Sequence, residues 1–448
     1  MALIGLIALC FLLGFVASVV INLLMPKDPY PWKHLSRPVN GRFEPTNPNP
    51  SDVGGAYQIP NSDPRVGDKS LFYAELRKTY DARYPHNAQR SLRAVQELRH
   101  YSFQPKSPMD QPSNPYYDVY NCPDRPPKGY PFTWKVLDIL HQWPSDDPEP
   151  RPEIFQGVCV FDFVKDHARA TAYREAEVPF IVQGDPQVAS AVERLNMPHY
   201  MDSLLGDDAY ETEYSESDNF LFSDATKAHM STTTTTTTTT AAGGEWKEPT
   251  KLLNMPYNEW FHHANVTDDK LGPDQPHWYF KLNGCGFHKH CSTVPSEYLF
   301  DELPFFQPKS SLYITDARSQ RGIHCRLGTK GVIAQNHFDG SRNSIALLGG
   351  QRRYILSHPD QCDKLALYPN DHPSGRHSAV DWADPDLEEY PEFAQAYANE
   401  VVLQAGDVLY LPTFWFHHII SLSTNFQCNT RSGFGTEYIQ HIQQCGYS

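Results

Sequence analysis

His337 and Asp339 stand two residues apart in "NHFDGSRN", and Asn343 closes the stretch. In extended backbone, residues i and i+2 share a face, so this imidazole and carboxylate lie side by side. Such a pair is a solvated surface pair, a hydrogen-bonded structural pair, or two ligands of one metal. A third donor stands in "GDVLYLPTFWFHHIISL", where a Gly406-Asp407 turn and a buried-looking strand lead to His417 and His418. Two histidines and a carboxylate occupy one face of an octahedron and leave three positions open, the arrangement of non-haem Fe(II) oxygenases. Each piece alone is weak, because HxD arises by chance and a histidine on an apolar strand is more often a satisfied core residue. Their conjunction, on two strands expected to face each other across a small barrel, makes His337, Asp339 and His417 or His418 a candidate Fe(II) ligand set.

The elements that would position these groups are short and rich in β-formers. From Ser311 onward, "SLYITDA", "GVIAQNHFD", "SIALLGG", "RRYILSH", "EVVLQA", "DVLYLP", "HHIISLS" and "NFQCNTR" read as strands separated by Gly, Pro and Asp turns. This spacing argues for a sandwich or barrel, interrupted by one expected helix in "YPEFAQAYANE". Upstream, "GVCVFDFV" reads as a strand and "VPFIVQGDPQVASAVERL" as strand, turn and helix. Asp185 is the expected N-cap there, with Pro186 at the first helical position. "NFLF" is a further short strand. The Thr tract within 231–244 has nothing to bury and reads as a flexible insertion. "CGFHKHC" crowds its donors too closely to close a zinc tetrahedron alone, so a local disulfide or plain loop is the simpler reading. Cys428, between Gln427 and Asn429, is expected to pack.

Before residue 151 the sequence offers no chemistry. Residues 1–24 carry no charged side chain and are long enough to cross a hydrocarbon layer of ~30 Å, which predicts a single-pass anchor in a lipid bilayer. Residues 25–68 form a Pro/polar linker, and 69–150 a helical, then Pro- and Tyr-rich region. Nine cysteines, eight of them outside the apolar run, and the sequon Asn265-Val266-Thr267 lean towards a lumenal domain in the endomembrane system. The basic residues that follow the run lean the other way. The formal net charge of −15 argues against a nucleic-acid partner.

From 151 to 435 the chain resembles the JmjC/cupin-like family of Fe(II)- and 2-oxoglutarate-dependent oxygenases. It is most similar to the branch containing the asparaginyl hydroxylase that inhibits the hypoxia-inducible factor. The motifs that carry the resemblance are "NHFDGSRN", "GGQRRYILSHPDQC", "HPSGRHSAVDWADPDLEEYPEF" and "GDVLYLPTFWFHHIISL", with "VPFIV" as the entry strand. It implies a mainly β fold with flanking helices, a double-stranded β-helix (jelly-roll) core, and a tail over 436–448. It also implies His337, Asp339 and His417 as ligands of Fe(II), with 2-oxoglutarate and O2 as cosubstrates. Arg352 stands where that hydroxylase has its cosubstrate-binding lysine, and Ala334 where it has a threonine. Asn343 and Asn429 match its pocket amides, and Arg376 and His377 its substrate-contacting pair. The implied activity is hydroxylation of an unidentified protein side chain or small molecule. Two other readings stand beside it: a non-catalytic cupin-like membrane scaffold with a vestigial or structural metal site, and a histone demethylase, which the anchor argues against.

Overall fold

The computed structural model describes residues 118–447, apart from 152, 198–199, 224–248, 268–274, 285–297 and 308–311. The expected anchor, the linker, the early helices, the Thr tract and "CGFHKHC" therefore lie outside the described residues. Among the described residues, no helix is long and apolar enough to cross a membrane.

Fifteen strands are described: β1 Trp134–Lys135, β2 Val160–Asp162, β3 Phe180–Gln183, β4 Ala209–Ser215, β5 Asn219–Phe220, β6 Thr250–Pro256, β7 His277–Gly284, β8 Gln320–Gly328, β9 Ile333–Phe338, β10 Asn343–Gly349, β11 Gln351–Ser357, β12 Tyr397–Gln404, β13 Val408–Leu411, β14 Phe416–Ser421 and β15 Asn425–Ser432. They form two sheets, ordered β1-β12-β11-β14-β9-β5 and β2-β3-β13-β10-β15-β8-β7-β4-β6. From β8 onward the chain crosses between the sheets. Strands β8, β10, β13 and β15 fall in one and β9, β11, β12 and β14 in the other, all antiparallel. This is the two-sheet jelly roll.

The alternation of the strands explains the closure. Ile345 and Leu347 of β10, Tyr354 and Leu356 of β11, Val401 and Leu403 of β12, and Leu409 and Leu411 of β13 meet between the sheets and are buried. Each such aliphatic side chain contributes about 1.5–3 kcal/mol on burial, so a one-residue slip of any strand would empty this layer. Outside the nine-stranded sheet, Val188, Ala191, Val192 and Leu195 of the helix Pro186–Leu195 join a second buried cluster. Asp185 caps that helix, its carboxylate accepting from the Gln187 amide at 2.8 Å, and Pro186 follows as expected from the sequence.

Four local expectations are corrected. "SLYITDA" forms no strand over its described residues. Instead Tyr313 is pinned by its hydroxyl to Asp185 Oδ2 (2.9 Å) and by its carbonyl to Ser344 Oγ (2.9 Å), which leaves no ladder to join. "YPEFAQAYANE" yields only the 3-10 turn Pro391–Gln395, because Tyr397 and Ala398 pair with β1 and extend β12; sheet pairing overrides helix propensity here. The folded body starts before residue 151: β1 is a sheet edge, and Cys122 is bridged to Cys159 beside β2. Cys428 is not merely packed but bonded to Cys325, its cross-strand partner on β8. A third disulfide, Cys362–Cys445, ties the C-terminal helix Ile439–Gln444 to the segment after β11.

Candidate functional site

Strands β9 and β14 are neighbours, not opposite walls of the barrel, and His337 lies directly across from His417 in their register. Adjacent pairing brings the rings close, with centroids 4.2 Å apart. Asp339 sits just past β9, where its carbonyl accepts from the Phe414 amide at 2.9 Å. That bond ties it to the turn before β14 and leaves Asp339 Oδ2 4.0 Å from His417 Nε2. His418 points to the other face of the sheet, where it stacks on Trp382 with centroids 4.7 Å apart.

Each imidazole is oriented by a backbone carbonyl. His337 Nδ1 is 2.7 Å from Gln335 O, and His417 Nδ1 is 3.0 Å from Trp415 O. The proton is assigned to Nδ1 in both, which leaves Nε2 with a free lone pair, the tautomer a metal ligand requires. Burial holds both rings below the usual imidazole range; for His337 the neighbouring His417 and His377 add to it. Burial works against ionisation of Asp339, but Arg431 first, then the surrounding imidazoles and Arg376, hold its carboxyl well below the usual carboxylate range. The site thus offers two neutral nitrogen donors and one carboxylate.

Does this set fit a metal ion? Donors at about 2.1 Å on one face of an octahedron stand roughly 3 Å apart, so the 4.0 Å between Asp339 Oδ2 and His417 Nε2 must shorten on metal binding. Among the described residues, no three His, Cys, Asp or Glu groups converge as tightly as in a formed metal centre. The carboxylate of Asp339 is occupied: Arg431 Nη2 donates to its Oδ1 at 2.8 Å and Asn343 Nδ2 to its Oδ2 at 3.0 Å. The donor chemistry and orientation fit a divalent ion whose arrival would compete with Arg431.

A line of amides runs inward from that carboxylate. Asn429 Nδ2 donates to Asn343 Oδ1 (2.9 Å), Gln427 Nε2 to Asn429 Oδ1 (3.4 Å), and Arg352 Nη1 to Gln427 Oε1. Tyr354 also donates to Gln427 Oε1 at 3.0 Å, and Arg352 Nε to Asn425 Oδ1 at 2.5 Å. Arg352 is fully buried, yet among the described residues its Nη2 and the hydroxyl of Ser421 have no hydrogen-bond partner. Both lie 3.2 Å from where a Cβ on Gly328 would stand. Glycine at that position leaves two buried donors free of a side chain packed against them, the kind of groups that the far carboxylate of a dicarboxylate needs.

A cavity of about 260 Å³ opens over the site. Its wall includes His337, Asp339, His417, Asn343, Asn429, Ala334, Arg376 and His377, so the sequence-expected groups come together around one space. Arg352 is the exception, standing behind Gln427. His377 stacks on His337 with centroids 4.8 Å apart. Sequence reasoning missed Asn425, Gln427 and Arg431. They were legible as the alternate polar positions of "NFQCNTR", an apolar-looking strand whose other face carries Phe426, Cys428 and Thr430.

Residues 167–431 match the family described as "Cupin-like domain". The chain belongs to that family. It is similar to tRNA wybutosine-synthesizing protein 5 of Danio rerio, 35% identical over 97 residues, which cover 22% of this chain and 28% of that protein. Jumonji C domain-containing protein 5 of Drosophila melanogaster is 32% identical over 135 residues, covering 29% and 33%. Lysine-specific demethylase 8 of Xenopus tropicalis is 29% identical over 154 residues, covering 33% and 32%. The chain spans about a third or less of the length of these relatives.

Proposed function

We propose that this cupin-like protein is an Fe(II)- and 2-oxoglutarate-dependent oxygenase that hydroxylates a protein side chain or small molecule. The observation that carries the reading is the unbroken amide line from Asp339 to a buried arginine with an unsatisfied Nη2. A structural metal would need no such anchor. The likeness to Jumonji C proteins and a demethylase agrees with it, while kinship with the asparaginyl hydroxylase branch rests on the sequence motifs alone.

When bound, the iron and its cosubstrate would supply the activation of O2 for attack on a C–H bond. The chain's residues do the rest. His337 and His417 present Nε2 because their Nδ1 protons are tied to backbone carbonyls. Asn343 steadies Asp339, and Arg352 with Ser421 would receive the far carboxylate of 2-oxoglutarate. A guanidinium in place of lysine offers two parallel donors, so the anchoring role survives the exchange. Ile345, Ile419 and Phe220 line the cavity and restrict water.

The scaffold reading draws support from one feature, the Arg431 guanidinium seated on Asp339. Iron analysis with 2-oxoglutarate turnover on the full chain separates the two: an oxygenase binds about one iron per chain and forms succinate, and a scaffold forms none. The three disulfides support placing the barrel in an oxidising lumen. Residues 1–24 are assigned to a bilayer on composition alone.

A further inference from the structure

The cavity wall is more cationic than a dicarboxylate cosubstrate requires. Arg326, Arg376 and Arg431 all line it, against two carboxylates, Asp339 and Glu213. Glu213 shares Lys281 with Glu211, which leaves that trio one net negative charge. Asp339 faces Arg431 at 2.8 Å and Arg376 at 4.0 Å, and it is the same carboxylate that a metal would take. Among the described residues, Arg326 pairs with no carboxylate; its Nη1 donates to the Cys325 carbonyl at 3.2 Å. On the oxygenase reading above, Fe(II), Asp339, the dicarboxylate and Arg352 cancel in charge. Three guanidiniums then face the one net negative charge of the Glu211–Lys281–Glu213 trio, an excess of two positive charges around a cavity of about 260 Å³.

Two of them are delivered at a structural cost. Arg376 is a non-glycine residue at φ +75°, a strained conformation that persists where its surroundings enforce it. Here the Arg376 amide donates to the Tyr447 hydroxyl at 3.0 Å, and Nη1 donates to the Phe338 carbonyl at 3.1 Å. Arg431 has a buried Nε with no partner. Paired guanidinium donors of this kind match a carboxylate.

We infer that the substrate presents a carboxylate, the acidic side chain of a polypeptide, which Arg376 and Arg431 clamp beside the carbon to be hydroxylated. Both guanidiniums border Asp339, so the reacting carbon lies within one or two bonds of that carboxylate. A second groove of about 550 Å³ shares Leu221 of its wall with the cavity and is the path the inference gives the polypeptide. Its wall carries Tyr214, Tyr368, Glu216 and Asp381, and its Lys251 is paired with Glu216 at 2.9 Å. With Glu216 so paired, Asp381 leaves that lining one net negative charge, which disfavours the repeating phosphates of a nucleic acid and favours neutral or basic residues flanking the acidic one.

The test is titration calorimetry on the detergent-solubilised full chain, loaded with Zn(II) to exclude turnover, in the presence of 2-oxoglutarate. The probes are a nine-residue Gly/Ala/Lys peptide with one central Asp, the same peptide with Asn, and a dinucleotide. The Asp peptide should bind at least tenfold more tightly than the Asn peptide. Arg376→Gln and, separately, Arg431→Gln should reduce that preference, with far-ultraviolet circular dichroism confirming that each variant is folded. Equal binding of acid and amide, no binding of either peptide, or tighter binding of the dinucleotide overturns the inference while leaving the oxygenase reading intact. If 2-oxoglutarate itself does not bind, the oxygenase reading falls and the inference with it.

Discussion

Two faces of one sheet carry the same residue types to opposite ends. On the inner face stand Arg352 and His417, and on the outer face their sequence neighbours Arg353 and His418. Arg353 is closed off: it grips Glu400 through Nε (2.9 Å) and Nη2 (2.7 Å), with both side chains fully buried, and lies over the Trp143 ring at 4.2 Å. His418 is sandwiched flat against Trp382. Arg352 keeps one nitrogen unsatisfied, and His417 keeps its Nε2 lone pair turned to the cavity. Both ring nitrogens of His418 lack a partner among the described residues, so what sets His417 apart is the cavity it lines rather than spare bonding capacity. Strand alternation alone separates the two.

The comparison is broken most severely by removing a donor from the inner face. Asp339→Ala or His417→Ala should lower iron affinity and succinate formation by more than about 100-fold, since even outer-shell changes at metal sites cost 10–100-fold. His418→Phe should leave iron content, measured by mass spectrometry, at the wild-type level. The arginines sharpen the same contrast. Arg353→Met leaves Glu400 buried without its partner and should cost about 3–5 kcal/mol of stability, read from urea unfolding. Arg352→Met should instead raise the KM for 2-oxoglutarate by at least about tenfold, as expected for loss of a buried charge-assisted contact.

A smaller effect is expected along the amide line. Gln427→Leu removes the acceptor shared by Arg352 and Tyr354 and should raise the KM for 2-oxoglutarate by about tenfold, with iron binding less affected. Equal loss of both would show that Gln427 supports the barrel as a whole.

The weakest test is acidity. Burial pushes His418 down to about 3. His377 and His324 fall to about 4, by burial first and then by Arg376 and Arg431 respectively. The unfolded chain protonates such rings near 6.5, so it binds more protons than the native state below that pH. Stability from these histidines is therefore complete above about 6.5 and declines as pH falls towards 4. His418→Phe should flatten that slope in urea midpoints measured across the range.

The fold was legible where strands are apolar and punctuated by turns. The capped helix at Asp185 and the strands around His337 and His417 follow from local pattern. What local pattern does not contain is partner choice. "SLYITDA" has strand composition but is held by Asp185 and Ser344, groups distant in sequence. Tyr397 and Ala398 have helical composition but pair with β1, from a region that reads as coil. Within the site, HxD and the later histidine announce themselves by chemical type. Gln427 and Arg431 gain meaning only when β15 pairs with β10 and sets Asn429 beside Ile345 and Arg431 beside Asn343.

The most direct measurement is iron content together with succinate release from 2-oxoglutarate, on the purified full chain and its Asp339→Ala variant. The structure predicts about one Fe(II) per chain and succinate formation in the first, and loss of both in the second. A wild-type chain that binds no iron and releases no succinate, or an Asp339→Ala variant that matches the wild type, would contradict it.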